Sequence, residues 1–505
     1  MKNFLIIFLI IFCGEIFSQT FSIKGIVIDA ETGNPIIGVN VIIENTNSVA
    51  ATDNNGYYEI EDLNHGKYNL IFSSVGYGKK KVNNLEIKNR SVIINVSLNP
   101  SPFEYGTVVK SASKYQQQIS DLPIKAEIIP AENFSSKNFT NLEDALRYVP
   151  GVNMTDDQIS IRGSSGYSRG AGSRVMLTLD GIPFSTGDTG ETIWEVIPTA
   201  VIGDVEIIKG AASSLYGSSA IGGVINVNSK DFSDNPQTYF KSDYGIYDKP
   251  SYKEWDWSKK LRSFNRLTIE HSQKINNLSF GISFTRLEDE SYKQSGFSKK
   301  YIGFLKAKYD FTNLSSLSLI ANTFNKRSGN FVYWKDSRNA LVPSDADQGQ
   351  RVATNRHLLG LIYKNIYSNN FFYEARASYY YTDWEDGTEI NNNSTTNLFR
   401  GELQATIKTF QDAVIVSGVE ASVANVKSNI FRNPTSNSFG VYSQVDYSFS
   451  ESIKSSLGIR YDYTKLDTLK NFSAFSPRIG FNFKPDSNLI IRAFAGSGFR
   501  APTLA

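Results

Sequence analysis

From about residue 237 onward, apolar and polar residues alternate with a period of two, in repeated runs of about ten residues. Leu278, Phe280, Ile282 and Phe284 alternate with Ser279, Gly281, Ser283 and Thr285. Phe439, Val441, Val445, Tyr447 and Phe449 alternate with Ser438, Gly440, Gln444, Asp446 and Ser448. Ile453, Leu457, Ile459, Tyr461 and Tyr463 alternate with Lys454, Ser456, Gly458, Arg460 and Asp462. Successive side chains of a strand point to opposite faces, so each run carries one oily face and one wet face. Two architectures satisfy that pattern. One is a soluble antiparallel sheet; the other is a membrane barrel with lipid outside and water inside. Aromatic crowding at strand ends, in Phe371-Phe372-Tyr373 and Tyr379-Tyr380-Tyr381, favours the barrel, because such residues form girdles at the bilayer interfaces.

The chain begins as an export signal: Lys2, an apolar run from Phe4 to Phe12, and a small-residue cleavage point at Ser18-Gln19. That run is too short to span a bilayer as a helix. Residues 1–19 are therefore expected to be a signal peptide. The lone cysteine, Cys13, falls inside it, where a lipoprotein anchor is the alternative and the bulky Phe12 argues against one. The processed chain then has no thiol for a disulfide, a thiolate metal site or a nucleophile. The 52 basic and 50 acidic residues leave a formal charge of +2, which gives no general attraction to nucleic acid.

Residues 20–99 show short strands separated by turn signals. Glu31-Thr32-Gly33-Asn34-Pro35 is one turn, and Asp53-Asn54-Asn55-Gly56 is a hairpin turn leading into Tyr57. Val39, Val41 and Ile43, then Tyr68, Leu70 and Phe72, keep period two. About seven strands at this spacing predict a small β-sandwich. Pro100 and Pro102 mark a linker over 100–119, in which Thr107, Val108 and Val109 form a short extended segment. Residues 120–230 mix strands with one predicted helix. Thr140 and Glu143 make a capping box, Leu142, Ala145 and Leu146 give an apolar face, and Pro150-Gly151 stops it. The markers Ile161-Arg162-Gly163, Val175 to Pro183 and the glycine- and serine-rich run from Val205 to Lys230 follow in order.

Those three markers resemble the plug domain of TonB-dependent outer-membrane receptors. Gly25 to Val41 and Thr52 to Tyr58 resemble the carboxypeptidase-regulatory-like modules found ahead of such receptors in Bacteroidetes-type bacteria. The resemblance implies a mainly β protein: an N-terminal immunoglobulin-like β-sandwich, an α+β plug over 120–230, and a transmembrane antiparallel β-barrel from 231 to 505. About 13 barrel strands are countable, against about 22 in plugged transporters. Gly498 to Ala505 resembles a motif that the family carries before its last strand, so the sequence is expected to be C-terminally truncated.

The resemblance further implies energised import of a scarce nutrient, siderophore-, haem- or cobalamin-like, at the cell outer membrane, with the N-terminal domain periplasmic. Its partners would be TonB of the inner-membrane energising complex, a small-molecule or metal-chelate ligand, and outer-membrane lipid. Thr107, Val108 and Val109 resemble a TonB box, a strand that a partner grips by main-chain pairing; the alternative is simply the first plug strand. Tyr333, Trp334, Lys335 and Arg338, on a long polar stretch, and Tyr167 and Arg169 of the plug are ligand-contact candidates, against a reading as interfacial aromatics and solvated charges. No catalytic residue, metal site or cofactor is expected, since His65, His271 and His357 are scattered and form no zinc-ligand pair. The rival functions are a passive outer-membrane pore and an adhesion or signalling receptor anchored by a barrel.

Overall fold

The computed structural model describes residues 20–505 except 31, 45, 47, 75–76, 78–79, 89, 99–107, 156–157, 164–171, 234, 369, 388–391, 410–411, 468–469, 487–488 and 505. The expected signal peptide, most of the linker with Thr107, and Tyr167 and Arg169 lie outside the described residues. Two compact units divide in sequence at Thr107 and Val108.

The first unit packs two four-stranded sheets. In one, Phe21–Asp29 pairs antiparallel with Tyr57–Leu63 and parallel with Val92–Ile93 and Val96–Leu98. The other runs in the order Val49–Ala51, Asn40–Ile43, Gly66–Ser73, Lys80–Ile87. The period-two residues Val39, Val41, Ile43, Leu70 and Phe72 form its dry centre, as their spacing predicts. Asp53 holds the hairpin turn by accepting the N–H groups of Asn55 and Tyr57 on one carboxylate oxygen. Among the described residues eight strands stand where about seven are expected, the last stretch being split into Val92–Ile93 and Val96–Leu98.

The second unit contains a 14-stranded antiparallel sheet running from Gln237–Tyr247 to Ile491–Gly496 among the described residues. No pairing among them joins these two edge strands, so the sheet is an open section of barrel. Its burial is the reverse of a soluble protein's. On Leu278–Asp289, Ile282 and Phe284 are exposed while Ser279, Ser283 and Thr285 are buried. On Ile453–Leu466, Leu457, Ile459, Tyr461 and Tyr463 are exposed and Ser456, Arg460, Asp462 and Thr464 are buried. An oily face turned outward and a polar face turned inward is the arrangement lipid requires. Among the described residues no helix is long and apolar enough to cross a membrane.

The two ends of the sheet differ. Turns at 276–277, 313–314 and 449–452 are short, whereas the connections 248–261, 290–297 and 330–350 at the other end are long. Around the short-turn end the rings of Tyr309, Phe311, Tyr363, Tyr373, Phe371 and Tyr367 form a chain of contacts at centroid distances of 5.2 to 6.5 Å. One expected girdle run differs: 379–381 falls in the middle of the strand Phe371–Asp386, not at its end. The central tyrosine of the 379–381 run, Tyr380, faces inward and meets Phe184 at 5.1 Å, because alternation sends only its two neighbours outward.

Inside the curve lies a five-stranded sheet in the order Ala126–Pro130, Ile202–Lys209, Gly223–Ser229, Val175–Leu179, Ile182–Pro183. The helix Leu142–Leu146 buries Leu142, Ala145 and Leu146 against it. Its cap sits one residue later than expected: Asn141 accepts the Asp144 N–H at 2.8 Å, and the Asp144 carboxylate takes the N–H and hydroxyl of Thr140. Both four-residue windows satisfy the capping pattern, and the register that puts Asn141 at the cap has Leu142 wholly buried.

Candidate functional site

The run from Val205 to Lys230 supplies the two central strands of the inner sheet and the turn between them. Gly223 is required by close approach: a Cβ there would stand 2.1 Å from the carbonyl oxygen of Ile208 on the paired strand. Gly217 ends the short helix Ser213–Tyr216 at φ +72°, and a Cβ would press on the guanidinium of Arg460 from the wall. The marker around Asp180-Gly181 is tied to the same strands. Asn226 accepts from the Thr178 hydroxyl and the Gly181 N–H at 2.7 and 3.0 Å, while Asp180 accepts from the N–H and hydroxyl of Ser229. The two glycine-bearing markers are thus one hydrogen-bonded structure.

The segment after Val108 is held against this sheet. Val108–Val109 pairs antiparallel with Gln117–Gln118; Val108 is exposed and Val109 fully buried. Glu206, buried on the strand Ile202–Lys209, accepts the backbone N–H of Lys110 at 3.1 Å and of Ser111 at 2.7 Å. The Asn228 amide donates to the same carboxylate at 2.8 Å. A carboxylate accepting several N–H donors is a strong anchor, because each bond is charge-assisted.

Wall residues clamp the same hairpin. Lys110 reaches Glu374 at 2.9 Å, and Arg376 bridges Glu374 and Glu402. Lys114 pairs with Glu402, donates to the Tyr442 hydroxyl at 3.2 Å and lies between the rings of Tyr442 and Tyr216. Burial pushes both lysine ammoniums below their usual range, and the facing carboxylates oppose that shift. Farther along, Asn482 donates to the carbonyls of Ser120 and Leu122 at 2.8 and 2.9 Å, and Lys454 meets Asp121 at 2.6 Å. A second clamp holds the loop around the short helix Trp194–Val196. Glu195 lies between Lys300 at 2.6 Å and Lys326 at 3.1 Å. Burial pushes its carboxyl up, but the two ammoniums outweigh that and hold it at about 2.

Between the inner sheet and the wall is a cavity of about 690 Å³, bordered by Lys110, Asp204, Glu206, Asn228, Lys306 and Lys364. Lys306 crosses toward Asp180 at 3.4 Å. Burial raises the Asp204 carboxyl to about 6, against the hydrogen bond from Asn228.

The candidate contact residues of the outer loop share one connection. Within 330–350, Lys335 N–H meets the Val342 carbonyl at 2.9 Å and Ser344 N–H meets that of Tyr333 at 2.8 Å, so the loop folds back on itself. Tyr333 and Trp334 are both 63% exposed at its surface. Lys335 is paired with Asp345 at 2.7 Å, and the Arg338 N–H bonds Asp336. The loop touches its neighbour through Trp255, whose indole donates to the Ser337 carbonyl at 3.0 Å. These four residues lie together; their expected companions Tyr167 and Arg169 fall outside the described residues. Sequence reasoning missed Glu195, Glu206, Glu374, Arg376 and Glu402. The available signal was charge at inward positions of period-two strands, which Glu374, Arg376 and Glu402 carry.

Comparison with known proteins accords with this geometry. The family model "TonB dependent receptor-like, beta-barrel" matches residues 213–505, "TonB-dependent Receptor Plug Domain" matches 118–224, and "CarboxypepD_reg-like domain" matches 23–109. The vitamin B12 transporter BtuB of Vibrio cholerae is 33% identical over 143 residues, which is 28% of this chain and 23% of that protein. The siderophore receptor PirA of Pseudomonas aeruginosa superposes with a TM-score of 0.61 at 17% identity, over 75% of this chain and 62% of that one. PirA of Acinetobacter baumannii gives 0.62 at 17%, over 75% and 61%. The chain thus spans less than a quarter of the curated relative's length in the matched region and about three fifths of the solved chains.

Proposed function

We propose that this chain, which belongs to the TonB-dependent receptor-like β-barrel family, a family of outer-membrane proteins, forms the plug-bearing part of a receptor for energised import of a scarce nutrient. One observation carries the reading: a folded domain fills the polar inner side of a sheet whose outer side is apolar. A passive pore needs an open lumen, and here every approach to the wall from the hairpin, the Glu195 loop and the Asp180 turn is bonded. An adhesion receptor needs only the outer loops and has no use for a bonded inner domain. The ligand is proposed to be siderophore-, haem- or cobalamin-like, the first and last being what the names of the similar proteins describe. Tyr333, Trp334, Lys335 and Arg338, with Tyr167 and Arg169, are its proposed contacts.

Energy must reach such a receptor from another membrane, because an outer membrane holds no nucleotide supply. Thr107, Val108 and Val109 are the proposed handle for TonB, gripped by strand addition. The short-turn end is proposed to face the periplasm, as short turns do in bacterial barrels, and the N-terminal sandwich with it. In support, Val108 and Lys110 border the same cavity as Lys274, Lys308 and Lys364, which lie near short turns. The test is Val108→Pro in the full-length receptor, which takes a backbone donor out of the handle. Uptake of labelled ligand is expected to fall to the level without energy while surface binding is unchanged. Normal energised uptake by the variant would refute the handle, and uptake independent of the inner-membrane energy source would refute the transport reading.

A further inference from the structure

Inward-facing cations of the wall are neutralised in two ways. From Phe371–Asp386 to Ile453–Leu466 they are arginines held by carboxylates of the wall itself: Arg376 by Glu374 and Glu402, Arg460 by Glu420 and Asp462. Near the short turns, Lys308 and Lys364 likewise have wall partners in Asp310 and Glu374. On Ser298–Thr312, Ser315–Gly329 and Arg351–Ser368 the pattern changes. There Lys300, Lys306, Lys326 and Arg356 form ion pairs, among the described residues, only with plug carboxylates: Glu195, Asp180 and Glu191.

Three of these four gather at the long-loop end. Lys300 and Lys326 stand directly opposite each other across their strand pair, and Arg356 is diagonal to Lys326 on the next strand, opposite Phe324. Like charges so placed repel unless an anion lies among them. Glu195 meets the lysines at 2.6 and 3.1 Å, and Glu191, on the same plug segment, meets Arg356 at 3.4 Å. Arg356 is only 5% exposed, and its Nε and Nη1 have no hydrogen-bond acceptor among the described residues. The other carboxylates nearby are engaged. Glu143 pairs with Arg147 on its own helix. Asp188, which also faces Arg356, accepts the Thr189 N–H at 2.7 Å and the Ser394 hydroxyl at 3.3 Å. Asp386, on the wall nearer the rim, accepts from the Asn392 amide at 3.3 Å. The wall thus builds a three-cation site whose carboxylates are supplied by the plug.

The residue types say which contacts are exchangeable. An arginine fork fixes a bidentate partner, whereas a lysine is a point charge on a flexible stem that passes readily from one anion to another. Solvent reaches the site, since Lys326 and Glu191 are about a third exposed. What fits where two carboxylates sit is another pair of carboxylates. We propose that Lys300, Lys326 and Arg356 form a binding site for a polycarboxylate ligand arriving from the long-loop side, and that Glu195 and Glu191 occupy it until displaced. Occupancy then opens the Glu195 clamp on the plug. This rests on the import reading and narrows its siderophore-like class to carboxylate-bearing ligands.

The test uses the full-length receptor in nonionic detergent, at neutral pH and fixed ionic strength. The probe is tricarballylate, a small tricarboxylate, with its uncharged trimethyl ester as control. Glu195→Gln removes the internal competitor and is expected to bind tricarballylate about tenfold more tightly than wild type. Lys300→Gln/Lys326→Gln is expected to bind it about tenfold more weakly than wild type, and Lys300→Arg/Lys326→Arg, which keeps both charges, to retain binding. In the wild type, hydrogen exchange at amides 191–196 is expected to rise with tricarballylate and not with the ester. Equal binding of acid and ester overturns the proposal, as does unchanged or undetectable affinity in Glu195→Gln. Binding that leaves exchange at 191–196 unaltered overturns the displacement. Nutrient uptake without an energy source would instead refute the import reading, and would leave these affinities as they are.

Discussion

Glu206 is the point at which the hairpin after Val108 is fastened to the inner sheet, and its removal has a calculable consequence. Its carboxylate satisfies two backbone N–H groups, of Lys110 and Ser111, in a buried setting. A hydrogen bond to a charged group is worth about 1.5–3 kcal/mol, and a buried donor left unpaired costs about 1–3 kcal/mol. Glu206→Gln keeps one acceptor oxygen and loses the charge assistance, so the cost is about 1.5 kcal/mol, or a tenfold rise in the released hairpin. Glu206→Ala strips both acceptors and costs about 3 kcal/mol, roughly a hundredfold. Amide hydrogen exchange reads this directly, since local protection follows the free energy of opening. Amides of 108–118 are expected to lose protection by those factors while the barrel ladders keep theirs. Val109 is buried in the closed state, so a partner that grips this strand binds the released form, and its apparent affinity scales with the released fraction. TonB's periplasmic domain is therefore expected to bind Glu206→Gln about tenfold more tightly than wild type. Unchanged exchange at Lys110 and Ser111 in the alanine variant would refute the anchoring argument. Raised exchange with unchanged TonB affinity would refute the handle instead.

Gly223→Ala places a methyl 2.1 Å from the Ile208 carbonyl, an overlap that costs about 3 kcal/mol and is expected to lower the urea midpoint of the plug; Gly401→Ala, where nothing lies within 4 Å, is the neutral control. Equal midpoints for both would show that the close approach does not constrain the sheet. Asp204, raised to about 6 by burial, binds its proton more readily in the folded plug than in the unfolded chain. Its contribution to stability is full below the ordinary aspartate range and falls as pH rises toward 6, so Asp204→Asn is expected to flatten the plug's stability change between pH 4 and 6. An identical pH slope in the variant, followed by plug-specific exchange, would refute it.

Much of this architecture is legible in the alternation alone. Phe284 and Leu457 had to face one way and Ser283 and Arg460 the other, because a one-residue slip would reverse every side chain. What alternation cannot supply is depth and partnership. Glu374 and Glu402 are recognisable as inward charges, but their partners Lys110 and Lys114 lie 264 and 288 positions away. Those pairings depend on the rotational setting of one domain inside another. The same limit explains Glu195, which reads as an ordinary loop acid until two wall lysines from adjacent strands converge on it. Tyr380 shows the converse, an aromatic whose neighbours alternate to the outer face while it packs on Phe184. The capping shift from Thr140 to Asn141 is a local ambiguity of one residue that leaves the buried face unchanged.

The contacts between plug and wall are of two kinds, and their order along the chain bears on how the plug yields. The segment that follows Val108 is held by ion pairs and hydrogen bonds, through Glu206, Glu374, Glu402, Asn482 and Lys454, and by a smaller apolar cluster of Val109, Ala112, Leu122 and Ile124 with wall residues Val416 and Tyr442. The far side of the plug adds to the Glu195 ion pairs a large apolar cluster, with Phe184 and Trp194 packed among wall residues Ile320, Phe324, Leu358 and Tyr380. A hydrogen bond or ion pair that opens can be replaced by water, so its net worth is small beside its gross strength. Apolar surface that opens has no such replacement, at about 25 cal/mol per Å² exposed. Water already has room beside the hairpin, in the cavity between Lys110, Glu206 and Lys306. A pull applied at Val108 therefore meets first a region rich in exchangeable contacts and last the larger apolar seat. If Val108 is the handle, the hairpin is expected to open at lower force than the sheet behind Trp194.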